Sequence, residues 1–350
     1  MLRRTFITGM TAAVAVSAAP AARSTPLKIG QIGTTHSHAS GKLTTIRDLP
    51  ELWSAVGWVE SDPRRASAAK AKKPYNGVPL LKDEQELLGM KEVAAVIVET
   101  GIEEACATAL RALKAGKHVH LDKPGALDHE EFKALHREAA TRGLTIQMGY
   151  MLRYNPAFEL LLDVVRQGWI GEVLEIEASM GKKIGDAERA NIKALPGGAM
   201  FELGCHPIDI IVTLLGKPAR VKSISTPSRS DGTHDHQLAI LEYPRASAAV
   251  RINLSDPFGN ERRRFAVSGT EGAVEILPME SGSVSLWFSQ NRGAYKRGKQ
   301  TVSLPSKGGR YTGEFIDLAK IVRGEKSLAW TGAHDIIVHE TLLRASGVWA

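Results

Sequence analysis

From residue 27 onward, short apolar runs alternate with stretches in which apolar residues recur every three to four positions. The runs at 27–32, 54–60, 92–99, 118–121 and 144–149 have the length of buried strands. Between them, apolar spacing predicts a helix at 102–114, closed by Gly116 as a C-cap, with a further helix at 129–142 and a polar, helix-compatible stretch around 41–49. Strands separated by helices of this length predict right-handed crossovers and a parallel, doubly wound sheet. Such sheets bind ligands beyond the carboxyl ends of their strands.

The pattern changes after residue 150. One long helix at 156–168 precedes runs at 173–180, 237–243, 247–254, 264–268 and 283–288, which predict an open, mostly antiparallel sheet. Further helices are expected at 197–215, 313–322 and 334–343. The predicted organisation is a targeting segment with linker at 1–26, a nucleotide-binding α/β domain at 27–149 and a second α/β domain at 150–350.

Composition narrows this picture. With 350 residues, 43% hydrophobic and 24% charged, the chain can fill two cores and does not read as disordered. The formal charge is +7, or 7 − 2 = +5 without Arg3 and Arg4. No dense basic block is interleaved with aromatics, so nucleic acid is not an expected partner, whereas small anions fit. Arg3-Arg4, the apolar run at 7–16 and Ala19-Pro20-Ala21 predict a twin-arginine signal with a small-residue cleavage site. That implies export of a folded protein to the periplasm, with no membrane association of the mature form. Cys106 and Cys205 make no disulfide framework and are read as buried small residues.

Three separated segments carry candidate chemistry. Glu202 and His206, at i and i+4, would meet on one face of the 197–215 helix as acid/base equipment. Lys123 closes the strand at Asp122-Lys123-Pro124, where desolvation beside a nicotinamide cation would lower its pKa. Gly33 begins a dinucleotide-type turn, but Thr35 and His38 stand where further small residues are expected. The amides of Gly33, Thr34 and Thr35 remain available to phosphate, with the Thr35 or Ser37 hydroxyl as added donor, and His36 and His38 would lie over cofactor or substrate. Glu60 ends the second strand, where a carboxylate binds ribose hydroxyls and favours NAD. Arg64 and Arg65 keep NADP open, or simply begin an exposed helix. The pairs His36/His38, His118/His120 and His234/His236 have zinc-type donors, but no Cys-x-x-Cys or His-Glu-x-x-His accompanies them, and no metal is expected.

The segments 112–119 leading to Asp122-Lys123-Pro124, 149–158, 168–173 and 197–209 together resemble the glucose-fructose oxidoreductase and inositol dehydrogenase family, Gfo/Idh/MocA. The resemblance implies a Rossmann domain followed by an α/β domain whose open sheet forms homo-oligomers. It implies Lys123 and His206 as proton-handling residues, with Glu202 in the place of a family aspartate, and Asp122 in that of a glutamate. Thr100-Gly101-Ile102-Glu103 replaces the family's Thr-Pro-Asn turn, leaving Thr100 on the nicotinamide side. Arg153 and Tyr154 are placed at the substrate pocket, an interdomain salt bridge explaining Arg153 as well, and Asp209 is placed there as an orienter. The implied function is an exported oxidoreductase using tightly held NAD(P) on a hydroxyl of a small sugar-like substrate. Two alternatives stand beside it: a glycosidase working by transient oxidation and elimination, and a non-catalytic ligand-binding protein.

Overall fold

The computed structural model describes residues 25–349, so the expected signal segment lies outside the described residues. Strands β1 (Leu27–Ile32), β2 (Trp53–Val59), β3 (Val93–Val98), β4 (His118–Leu121) and β5 (Ile146–Met148) form a parallel sheet in the order β2-β1-β3-β4-β5. The chain reverses its direction of travel between β1 and β3, which makes the crevice beyond their carboxyl ends the switch point where such sheets hold ligands. Two short helices escaped the apolar pattern: Pro63–Lys70, capped by Asp62, and Glu84–Gly89, capped by Asp83. Both bury few side chains, so capping chemistry rather than an amphipathic stripe marks them.

The second sheet has eight strands: β6 (Val173–Gly181), β7 (Arg220–Thr226), β8 (His236–Glu242), β9 (Ser247–Asn253), β10 (Arg264–Gly269), β11 (Gly272–Ile276), β12 (Ser283–Phe288) and β13 (Gly298–Ser303). Their order is β13-β12-β11-β10-β6-β9-β8-β7, antiparallel except for the parallel pair β6 and β9. The edge strands β7 and β13 are polar and largely exposed, which hid them from the hydrophobic pattern.

Two departures from the predicted elements bear on the site. The stretch 197–215 is two helices, Gly198–Leu203 and Cys205–Leu215. Pro207 lacks the N–H that would bond the Leu203 carbonyl, and its ring crowds that carbonyl, so the helix breaks at Gly204. The helix Thr312–Val322 does not stay with the second sheet. Its Phe315, Leu318 and Ala319 pack with Ile29, Ile46 and Ile97, and Trp53 Nε1 donates to the Phe315 carbonyl at 2.9 Å. One face of the first sheet is thus covered by the C-terminal part of the chain. No helix among the described residues is long and apolar enough to cross a membrane.

Candidate active site

The turn after β1 is built around Gly33, whose φ of +85° would strain any side chain. An added Cβ would also stand 2.8 Å from the Thr100 amide nitrogen. Gln31 Nε2 donates to the Gly33 carbonyl and to the Tyr75 hydroxyl, both at 2.9 Å, pinning the turn from below. Beyond it, Thr34 donates to Glu60 Oε2 through its amide at 2.9 Å and its hydroxyl at 2.6 Å. The other carboxylate oxygen accepts from the Asp62 amide and from Arg65 Nη2, each at 3.0 Å. Burial raises the Glu60 pKa, but these donors outweigh it and hold the group below its ordinary value. Arg65 therefore turns toward the acid at the end of β2, although its helix does begin there on the surface. Gly33, Thr35, Glu60, Arg65, Thr100 and Arg111 line a cavity of about 420 Å³ at the switch point, within the range of small-ligand sites.

Behind the turn lies a polar cluster that the sequence reading missed. Lys42 occupies the buried stripe of the helix Ala39–Arg47, between Ala39, Leu43 and Ile46. Its ammonium bonds Glu99 at 2.8 Å and Asp122 at 2.6 Å, both carboxylates being almost wholly buried. Burial opposes the charge on Lys42, yet the two acids raise its pKa. Burial raises Glu99, with Asp122 adding to it, whereas Lys42, His36 and His38 hold Asp122 low. His36 Nδ1 and His38 Nδ1 lie 3.0 and 3.1 Å from Asp122 Oδ2. A lysine at a core position of an amphipathic pattern was the available signal.

Lys123 follows Asp122 at the end of β4, with a cis bond to Pro124. Its ammonium donates to Glu202 Oε1 at 2.6 Å and to the Glu202 carbonyl at 2.9 Å. Glu202 thus pairs with Lys123. Burial lowers the Lys123 pKa, but Glu202 chiefly outweighs it, and the net shift is upward. That corrects the expected lowering. His206 is buried, and its Nδ1 has no hydrogen-bond partner. Burial, followed by the nearby Lys123 charge, pushes its pKa well below the ordinary imidazole value. Tyr150 meets its ring edge-on at 6.2 Å and leaves its own buried hydroxyl unpartnered.

The residues placed on the substrate side are engaged inside the protein. Arg153 is fully buried and bonds Asp209 at 2.7 and 2.9 Å and Asp335 at 2.6 Å. His334 Nε2 adds a contact to Asp209 at 2.9 Å. Asp209 is therefore an orienter of Arg153, and Arg153 forms a buried ion cluster rather than a pocket wall. The Tyr154 hydroxyl accepts from Gln147 at 3.0 Å and donates to Asp317 at 2.9 Å. Cys106 and Cys205 are buried and unpaired with each other, and burial pushes both thiols up to about 12. His118 and His120 are used within the sheet, toward Thr145 and Gln147.

Residues 27–150 match the oxidoreductase family with an NAD-binding Rossmann fold, and residues 158–275 match the Gfo/Idh/MocA C-terminal domain. The chain belongs to the Gfo/Idh/MocA oxidoreductase family. It is 30% identical to the uncharacterized oxidoreductase YhhX of Escherichia coli over 260 residues, 70% of this chain and 72% of that one. It is 29% identical to bovine (Bos taurus) trans-1,2-dihydrobenzene-1,2-diol dehydrogenase over 196 residues, which is 55% of this chain and 57% of that enzyme. The match thus spans little more than half of that curated relative. Among solved structures, UDP-N-acetylglucosamine 3-dehydrogenase from Acidithiobacillus ferrooxidans has the same fold, with a TM-score of 0.75 at 20% identity, covering 92% of this chain and 97% of that one.

Proposed function

We propose that the mature protein is a periplasmic oxidoreductase that moves hydride between tightly held NAD(P) and a carbon bearing a hydroxyl of a sugar or polyol. The observations that carry this reading are the buried Lys123–Glu202 pair, with His206 near enough to feel the Lys123 charge, and a switch-point cavity lined by Glu60 and Arg65. The position fits a dinucleotide, with Thr35 toward the diphosphate, Glu60 and Arg65 at the adenosine end and Thr100 and Lys123 toward the nicotinamide, whereas the Gly33 and Thr34 amides, expected to face phosphate, donate to the Val59 carbonyl and to Glu60. The nicotinamide, when bound, supplies or accepts the hydride.

The protein's own part is proton handling. His206 is neutral at pH 7 and is the acceptor of the hydroxyl proton during oxidation. Lys123, kept charged by Glu202, stabilises negative charge developing on the same oxygen in both directions, and His206 returns its proton in reduction. Export is supported by the paired Arg3-Arg4 and the apolar run behind them. Homo-oligomerisation is supported by Leu174 and Ile224, large apolar side chains exposed on β6 and β7.

The test is mass spectrometry of nucleotide released on denaturing natively purified protein. NAD or NADP near one per chain is the expected result. A protein that is empty and also fails to bind added NAD or NADP overturns the redox reading.

A further inference from the structure

Two groups of side chains among the described residues bring three metal-type donor atoms within 4.8 Å of one another: His36, His38 and Asp122, and Asp209, His334 and Asp335. In the second both carboxylates are committed to the Arg153 guanidinium, and it has one imidazole; in the first the carboxylate oxygen is shared with Lys42 and faces two imidazoles. The first has different chemistry. We propose that His36 Nδ1, His38 Nδ1 and Asp122 Oδ2 form a three-ligand site for a divalent transition cation of the zinc type.

Four observations carry the assignment. Two imidazoles and one carboxylate with a fourth position free is the donor set of catalytic zinc sites. With bonds of about 2.0–2.1 Å, neighbouring ligands of a tetrahedral cation stand roughly 3.3 Å apart. The two Nδ1 atoms lie 3.0 and 3.1 Å from Asp122 Oδ2, so small side-chain shifts admit the ion.

The hydrogen bonding is also over-subscribed. Asp122 Oδ2 faces Lys42 Nζ, His36 Nδ1 and His38 Nδ1, three donors for two lone pairs. His36 Nδ1 additionally faces the His38 amide N–H at 3.3 Å, so it is asked to donate on one side and accept on the other. A cation replacing the two Nδ1 protons removes two of the three donors that compete for Asp122 Oδ2. Finally, Glu99 Oε2 is buried, has no hydrogen-bond partner and lies 3.7 Å from His36 Nδ1. It is an unpartnered second-row acceptor aimed at the same spot.

The side chains of His36 and His38 are 18% and 15% exposed, which leaves a path from solvent. A hydroxyl or carbonyl oxygen of the substrate would take the fourth position; that use of the ion rests on the redox reading above, whereas the site itself does not.

The experiment is titration of chelator-treated mature protein with cobalt(II) chloride, followed by visible d–d absorption, with zinc chloride as competitor. Expected are one cobalt per chain, intense bands of low-coordinate geometry, displacement by zinc, and affinity lowered at least ~10-fold in His36→Ala and in His38→Ala. Thermal melting of each variant establishes that it is folded. Absent bands, or bands of equal affinity in both folded variants, overturn the site. NAD binding is measured calorimetrically on the same samples. Loss of NAD binding with cobalt binding intact counts against the redox reading alone, and the reverse counts against the metal site alone.

Discussion

Lys123 and Glu202 illustrate how a local partner reverses the effect of burial. Desolvation alone would release the lysine proton, but the carboxylate 2.6 Å away keeps it. Lys123→Ala is expected to lower hydride transfer to the bound nicotinamide by ~10²–10⁴-fold while nucleotide occupancy is unchanged, read by nicotinamide absorbance with a reactive polyol. Glu202→Gln removes the counter-charge, so the Lys123 pKa falls and the limb it contributes to the pH–rate profile moves to lower pH. At the other end of the cavity, Arg65 is the nearest cation to Glu60. Arg65→Ala is expected to weaken NADP roughly 10-fold relative to NAD, the loss of one charge-assisted hydrogen bond, in paired binding titrations.

At the scale of elements, the helix Ala39–Arg47 is the unusual part. It seats a charged side chain on its buried stripe, where the carboxylates ending β3 and following β4 receive it. Lys42→Met would leave Glu99 and Asp122 facing each other without an ammonium. Breaking a buried pair in this way costs about 3–5 kcal/mol, to be read from urea unfolding midpoints. The same element shows what the sequence conceals. The stretch was legible only as polar and compatible with helix, and Glu99 and Asp122, 57 and 80 residues away, meet Lys42 only across the sheet. The helix over 197–215 was legible as helix, yet Pro207 divides it, and the partner of Glu202, Lys123, lies 79 residues away in the sequence.

The whole molecule is titrated by its interior. His38, His136 and His339 have pKa values of about 4 and His120 of about 3, each pushed down first by burial. Between pH 6.5 and about 4 the unfolded chain binds protons at these sites that the folded chain does not. Stability is therefore lost as pH falls through that window. Glu314 and Asp335 act oppositely. Burial raises them to about 8 and about 6, so the folded state holds extra protons and stability falls as pH rises through those values. Four histidines outweigh two acids below pH 6.5, and Glu314 acts alone near pH 8. Denaturant unfolding across pH is expected to show an acid limb below 6.5. Glu314→Gln is expected to flatten the decline between 6.5 and 8.

The order of elements, the Rossmann half and the candidate residues Lys123, Glu202 and His206 were determined by the sequence, because periodicity, capping and strand-end position are local properties written in consecutive residues. The partners were decided by the tertiary structure. Arg153 joins Asp335 across 182 residues, and the helix Thr312–Val322 returns to cover the first sheet. His36, His38 and Asp122 converge because two loops end on the same edge. Buried charges find counter-charges wherever the packed chain brings them, and no spacing in the sequence encodes that meeting.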